Sequence, residues 1–271
     1  MDLMPERSGY ANGIPSWADL ATTDKDGARS FYGELFGWEF MDVPTGEPGM
    51  EYTMITKNGK TIAGMGELNE EQLSSGIPPH WTTYLAADDL DATLEKVTAA
   101  GGTVMVPAMD VMDMGRMAFI ADPTGAALGL WQAGTHTGSE LVNEHGTPTW
   151  NELMTSDPET AGKFYADVFG YKIDTVPMEH GHYSLFMADG NLEGYYAAGM
   201  MQLPDDMAGA PSNWGLYFAV DDCDATVEAA KSAGATVLAE PFDIEGTGRM
   251  AVIQDLQGAV FMVMKPANEL Q

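Results

Sequence analysis

Basic residues are scarce in this chain of 271: Lys and Arg together number 12 against 41 Asp and Glu, a formal net charge of −29 at neutral pH. Such a surface repels nucleic-acid phosphates and anionic membrane faces, so neither is an expected partner. The acid excess runs along the whole chain instead of forming a tail, which reads as a solvated, highly soluble surface. Cysteine occurs once, at Cys223, so no intrachain disulfide can form. Long apolar runs are missing as well: nothing approaches the ~20 residues of a membrane helix. The start, MDLMPERSGY, lacks the basic lead and apolar stretch of a secretion signal. Nucleophile-elbow, phosphate-loop and dinucleotide-binding glycine patterns are absent. Together these absences point to a cytoplasmic, soluble protein.

What the chain does contain is a repeat. TDKDGARSFYGELFGW at 23–38 returns as SDPETAGKFYADVFGY at 156–171, an offset of 133. The same offset relates IPSWADL to TPTWNEL, HWTTYLAADDLDAT to NWGLYFAVDDCDAT, and GRMAFIADPTGA to GRMAVIQDLQGA. Self-similarity over this length means tandem copies of one domain. The expected division is a first domain over 1–133, a linker of small and polar residues over 134–146, and a second domain over 147–271.

Each copy has a readable grammar. Ala28, Phe31, Tyr32, Leu35 and Phe36 recur at helical spacing, with Asp24 placed to cap the start and Gly37 to close the end. The second copy has Ala161, Phe164, Tyr165, Val168 and Phe169 between Asp157-Pro158 and Gly170. Short β-like runs flank each helix: SWADL before, and WEFMDV, YTMIT and TIAGM after. The order is then repeated by WTTYLAA, a helix over about 90–100, TVMVP, RMAFIAD and AALGLW. Four βαβββ units are expected.

These motifs together resemble the vicinal oxygen chelate superfamily, which includes glyoxalase I, bleomycin-resistance proteins and extradiol dioxygenases. Within it the chain is most similar to two-domain actinobacterial glyoxalase-like or hydroxylase-like proteins. The resemblance implies an α+β fold in which the βαβββ units curl into two cup-shaped mixed sheets. It also implies, in members that chelate a metal, a His or Gln on the first strand, a His on the strand opening the second unit and a Glu on the last. Those places fall on Trp17, Thr82 and Gly129 in one copy and on Trp150, Gly215 and Met262 in the other. None is an imidazole or a carboxylate, so no metal and no other cofactor is expected. Glu67 lies near a fourth-strand position, and His80 beside the opening strand but off its inward position.

The inferred inward faces carry Trp17, Asp19, Thr82, Tyr84, Gly129 and Trp131 in the first cup. The second cup carries Trp150, Glu152, Gly215, Tyr217, Met262 and Met264. Small residues at the ligand places are expected to leave room for a guest, with Trp, Tyr and Met supplying contact. The competing reading makes Trp17 and Trp150 plain core filler. The methionines at 109–117 pack the interior or line a flexible loop over the cleft. Arg116 and Arg249 are read as turn-anchoring ion pairs, His180 and His182 as a solvated hairpin tip, and Cys223 as a packing residue.

The function expected from these residues is metal-independent binding of a small apolar or aromatic metabolite, in a sequestering or resistance role. The alternative is a glyoxalase-, hydroxylase- or lyase-type enzyme with Glu152 or Asp19 as acid–base group and Tyr217 donating to an oxyanion. A metal-dependent dioxygenase ranks last. The expected assembly is a monomer containing an internal pseudo-dimer, with a homodimer as the alternative.

Overall fold

Asp24 and Gly37 do what their positions in the repeat foretell. In the computed structural model, which describes residues 5–45, 51–178, 181–188, 196–204, 207 and 209–267, the Asp24 carboxylate accepts from the Gly27 amide. Gly37 ends the helix in the left-handed region at φ 68°. Asp157 and Gly170 repeat the arrangement.

The first copy runs β1 (Pro15–Thr22), α1 (Lys25–Phe36), β2 (Glu39–Pro44), β3 (Glu51–Lys57) and β4 (Lys60–Glu67). After a short turn of helix α2 (Glu70–Ser74) come β5 (His80–Ala86), α3 (Leu90–Ala99), β6 (Thr103–Val111), β7 (Gly115–Ala121) and β8 (Ala127–Ala133). The second copy runs β9 (Pro148–Thr155), α4 (Pro158–Phe169), β10 (Lys172–Met178), β11 (Gly181–Met187) and β12 (Ala198–Gln202). It continues with β13 (Asn213–Ala219), α5 (Cys223–Ser232), β14 (Thr236–Ile244), β15 (Gly248–Gln254) and β16 (Val260–Pro266). These are the four expected βαβββ units, with α2 added.

Each copy forms one eight-stranded mixed sheet, ordered β2-β3-β4-β1-β5-β8-β7-β6 and β10-β11-β12-β9-β13-β16-β15-β14. All four edge strands carry a proline, Pro44, Pro107, Pro177 and Pro241, which cannot donate to an added strand and so blunts edge pairing. The methionine-rich 109–117 run is not a flexible loop. It is the β6–β7 hairpin, with Met109 paired to Met117.

The helix-bearing faces of the two sheets meet. Phe31, Tyr32 and Phe36 of α1 share a core with Phe218, Val227 and Phe261 of the second copy, and α4 shares one with Leu85, Val97 and Leu128 of the first. Polar bonds pin these joint cores. Tyr32 donates to Asp255 Oδ2 at 2.8 Å and accepts from Trp81 Nε1 at 3.1 Å. The other oxygen of Asp255 takes the amides of Gln257, Gly258 and Ala259, so one buried side chain folds its own turn and holds the other copy. The mirror pair is looser: Tyr165 accepts from Trp214 at 2.9 Å and lies in the field of Asp122, whose Oδ2 has no partner at hydrogen-bonding geometry. Thr83 donates to Asn151 at 2.7 Å between the central strands.

Removing the Tyr32 hydroxyl strands two buried groups, at a cost of about 1–3 kcal/mol each. Denaturant unfolding of Tyr32→Phe is therefore expected to show a larger loss than Tyr165→Phe, since Asp122 Oδ2 already lacks a donor. Equal losses would contradict this asymmetry.

Candidate ligand cups

Strand alternation sends Ala18, Leu20 and Leu85 to the helix side. Trp17 and Asp19 of β1, Thr82 and Tyr84 of β5, and Gly129 and Trp131 of β8 therefore share the opposite, concave face. Trp17 stands across from Tyr84 and Asp19 across from Thr82, with Gly129 beside Tyr84. Trp17, Met54, Tyr84 and Trp131 pack into a cluster of their own, separate from the helix-side cores.

At the floor of this cup the Asp19 carboxylate accepts from three donors. Trp17 Nε1 lies 2.8 Å from Oδ1 and the Tyr84 hydroxyl 2.9 Å from Oδ2, and the Tyr52 hydroxyl makes a short bond to Oδ1. Tyr52 reaches in from β3 because Gly64 on β4 has no side chain: a Cβ there would fall 1.6 Å from the phenol oxygen. Burial pushes the Asp19 pKa up, while its hydrogen bonds to Tyr52, Tyr84 and Trp17 pull it down. Burial and the nearby carboxylate drive Tyr52 and Tyr84 far above the usual phenol range, so both stay neutral donors.

The second cup repeats the plan with changes. Trp150 stands across from Tyr217 and Glu152 across from Gly215. Tyr217, Met250, Met262 and Met264 form the packed cluster, with Trp150 at its side. Glu152, 8% exposed, accepts from Tyr183 at 2.8 Å and Tyr217 at 3.0 Å. Trp150 Nε1 donates to Tyr183 at 3.0 Å and not to the carboxylate. Gly199 clears the way for Tyr183 as Gly64 does for Tyr52. Burial raises the Glu152 pKa, and its two tyrosine bonds oppose the rise.

All twelve concave residues expected from the sequence are brought together, six to a cup. Tyr52 and Tyr183 were missed. Their signal was an alignable Tyr-Thr-Met against Tyr-Ser-Leu, but at an offset of 131, where the repeat slips out of its usual 133. His136 was missed too. It lies just past β8 with its ring edge-on to Trp17 at 4.4 Å, its carbonyl accepting from Trp131, and Nε2 buried without a partner. Burial lowers its pKa.

Several expectations need correction. Gly129 and Gly215 do not leave empty volume: a Cβ on Gly129 would strike the Tyr84 ring at 2.2 Å, and one on Gly215 the Met262 methyl at 2.3 Å. The missing side chains are packing space for neighbours. His80 opens β5 two residues before Thr82 and so shares the concave face. Glu67 alternates with Gly64 and Gly66 to the other face and lines an outer groove with Lys25, Arg29 and Asp42. His180 lies outside the described residues, and His182 is exposed on β11.

Other readings stand as made. Arg116 binds Asp91 and Asp110, and Arg249 binds Asp224 and Asp243. Cys223 is buried, its thiol pushed up to about 11 by desolvation.

The chelating metal that the resemblance implies does not fit these residues. Each cup offers one strand-borne carboxylate already holding two or three donors, beside neutral phenols and, in the first cup, two imidazoles, His80 and His136, that do not gather with Asp19 into the several-ligand set a divalent ion needs. Among the described residues no three of His, Cys, Asp or Glu gather as metal donors.

A raised carboxyl pKa means the folded state holds its proton more tightly than the unfolded chain. Above the ordinary Glu value of 4.5 the unfolded chain has ionised, so raising the pH further strips a proton from the folded form and costs stability. Urea unfolding across pH is expected to show the wild-type chain losing stability relative to Glu152→Gln as pH climbs from there. A relative gain would mean that the tyrosine bonds outweigh burial.

Comparison with known proteins bears on the fold and its kinship. The profile of the Glyoxalase/Bleomycin resistance protein/Dioxygenase superfamily matches residues 14–130 and again 147–263. CFP32 of Mycobacterium bovis, provisionally named a glyoxylase, is 48% identical over 98% of this chain and 100% of its own length. The anthracycline biosynthesis protein DauV of Streptomyces sp. is 35% identical over 94% of each chain. Among solved structures, the Mn(II)-bound glyoxalase of Novosphingobium aromaticivorans superposes with a TM-score of 0.64 at 15% identity, covering 96% of this chain and 84% of that one. The 2,3-dioxygenase LapB of Pseudomonas sp. KL28 gives 0.64 at 14% identity, covering 96% and 94%. At such identities the two structures speak for the fold alone, and among the described residues no helix is long and apolar enough to cross a membrane. Two profile matches, full-length relatives and paired βαβββ sheets agree: the chain belongs to the Glyoxalase/Bleomycin resistance protein/Dioxygenase superfamily, as a tandem of two such domains.

Proposed function

We propose that this protein binds a small apolar or aromatic metabolite in a cup without using a metal. The observation that carries the reading is the floor of each cup: a carboxylate ringed by phenol hydroxyls beneath a wall of Trp, Tyr and Met. Exposed apolar side chains line the same faces further out. Met41 pairs with Met54 and is 56% exposed, and Phe242 pairs with Met250 and is 41% exposed. Apolar surface held open on a concavity favours a ligand over a collapsed core. The Streptomyces relative named for anthracycline biosynthesis adds support, since fused aromatic rings suit such walls.

A second reading is favoured by the elevated Glu152 pKa: an acid–base enzyme with Glu152 as base and Tyr217, now its hydrogen-bond donor, donating a hydrogen bond to a developing oxyanion. Asp19 with Tyr84 is the corresponding pair in the first cup.

Saturable quenching of tryptophan fluorescence by planar aromatic compounds is the expected signature, with no product by mass spectrometry. Removing one stacking partner, as in Trp150→Ala, is expected to weaken binding by about 0.5–1.5 kcal/mol beyond lost area. Turnover that vanishes in Glu152→Gln would establish the enzyme reading instead. Absence of both quenching and turnover across a panel of such compounds would remove the proposal.

A further inference from the structure

The two cups differ in what they leave unclaimed beside the carboxylate. An ionised carboxylate accepts at about four lone-pair sites. Asp19 fills three of these, with Trp17, Tyr52 and Tyr84. Among the described residues Glu152 fills two, one on each oxygen.

Space differs in the same sense. Beside Asp19 stands Thr82, and the room over Gly129 is taken by a Tyr84 ring fixed through its own hydrogen bond. Beside Glu152 stands Gly215, where a Cβ would meet the Met262 methyl at 2.3 Å and then nothing nearer than its sulphur at 3.6 Å. An unbranched thioether can swing aside at low cost, whereas a clamped phenol cannot. The aromatic walls differ too. His136 is lodged against Trp17, whereas among the described residues no ring packs on Trp150, which is only half-buried. The nearby bases Arg249 and Lys265 alternate with Met250 and Met264 and so face away from the cup.

We propose that the second cup is the working site, that a guest enters by displacing the Met262 methyl, and that its defining group is a protonated amine on a planar aromatic body. The ammonium takes the two free acceptor sites of Glu152 between Tyr183 and Tyr217, and the ring lies against Trp150. An anionic guest is repelled by the same carboxylate. The assignment rests on the reading of the cups as ligand sites and adds to it the cup and the charge class.

The test uses the full chain and three planar three-ring probes at pH 7 and about 0.15 M salt, where long-range surface attraction is screened: cationic 9-aminoacridine, neutral acridone and anionic anthracene-9-carboxylate. Isothermal titration is expected to give one 9-aminoacridine site per chain, bound about tenfold or more tightly than acridone, with the anion weakest. Glu152→Gln should bring 9-aminoacridine down to the affinity of acridone, while Asp19→Asn keeps the difference. Met262→Phe, which puts a rigid ring beside Gly215, should weaken both probes. If wild-type protein binds acridone as tightly as 9-aminoacridine, the amine assignment falls and the cup reading stands; this comparison needs no variant to fold. If Asp19→Asn rather than Glu152→Gln erases the difference, the site has been placed in the wrong cup. If no probe binds, both readings fall.

Discussion

Neither copy can cover the helix-bearing face of its own sheet, and the whole molecule follows from that constraint. One face of each sheet carries two helices and a band of Leu, Val and Phe too broad for them to hide. The opposite copy completes the cover, so each aromatic core is joint property: α1 packs on Phe218 and Phe261, and α4 on Leu85 and Leu128. Burial of this area is the main stabilising term, but it is non-directional. Register comes from polar groups that have to be satisfied inside it, above all the Tyr32–Asp255 bond. The Tyr of the repeated Phe-Tyr pair and the Asp of the repeated Gly-Arg-Met segment meet only across copies.

Joining the sheets by their helix sides turns both concave faces outward. Each remains free to hold a buried carboxylate at a cup floor, where phenols and an indole donate to it, just as Tyr32 and three amides satisfy Asp255 in the joint core. Duplication then allows divergence. The first cup has tightened around Asp19 with an extra indole bond, a wedged His136 and Trp131. The second has Met264 in place of Trp131 and a glycine covered only by a methionine tip. Among the described residues the first carboxylate holds three donors and the second two.

Much of this was legible in the chain. Period 3.6 between an Asp and a Gly placed α1 and α4, and period 2 sorted Trp17, Asp19, Trp150 and Glu152 to the concave faces. What escaped depends on contacts between distant strands. Tyr52 and Tyr183 join their cups only because Gly64 and Gly199, on neighbouring strands, give way. Glu67 was misplaced by one step of alternation, and His80 by treating the first residue of β5 as outside the strand.

The sequence by itself determined the number of copies, the order of their elements, the caps and the faces of Trp17, Asp19, Trp150 and Glu152, because these follow from spacing and local backbone preference. Only tertiary structure decided which neighbours fill the space over Gly129 and Gly215, which donors reach Asp19 and Glu152, and which copy satisfies Tyr32. Those outcomes depend on distances between residues far apart in the chain, and no local periodicity encodes them.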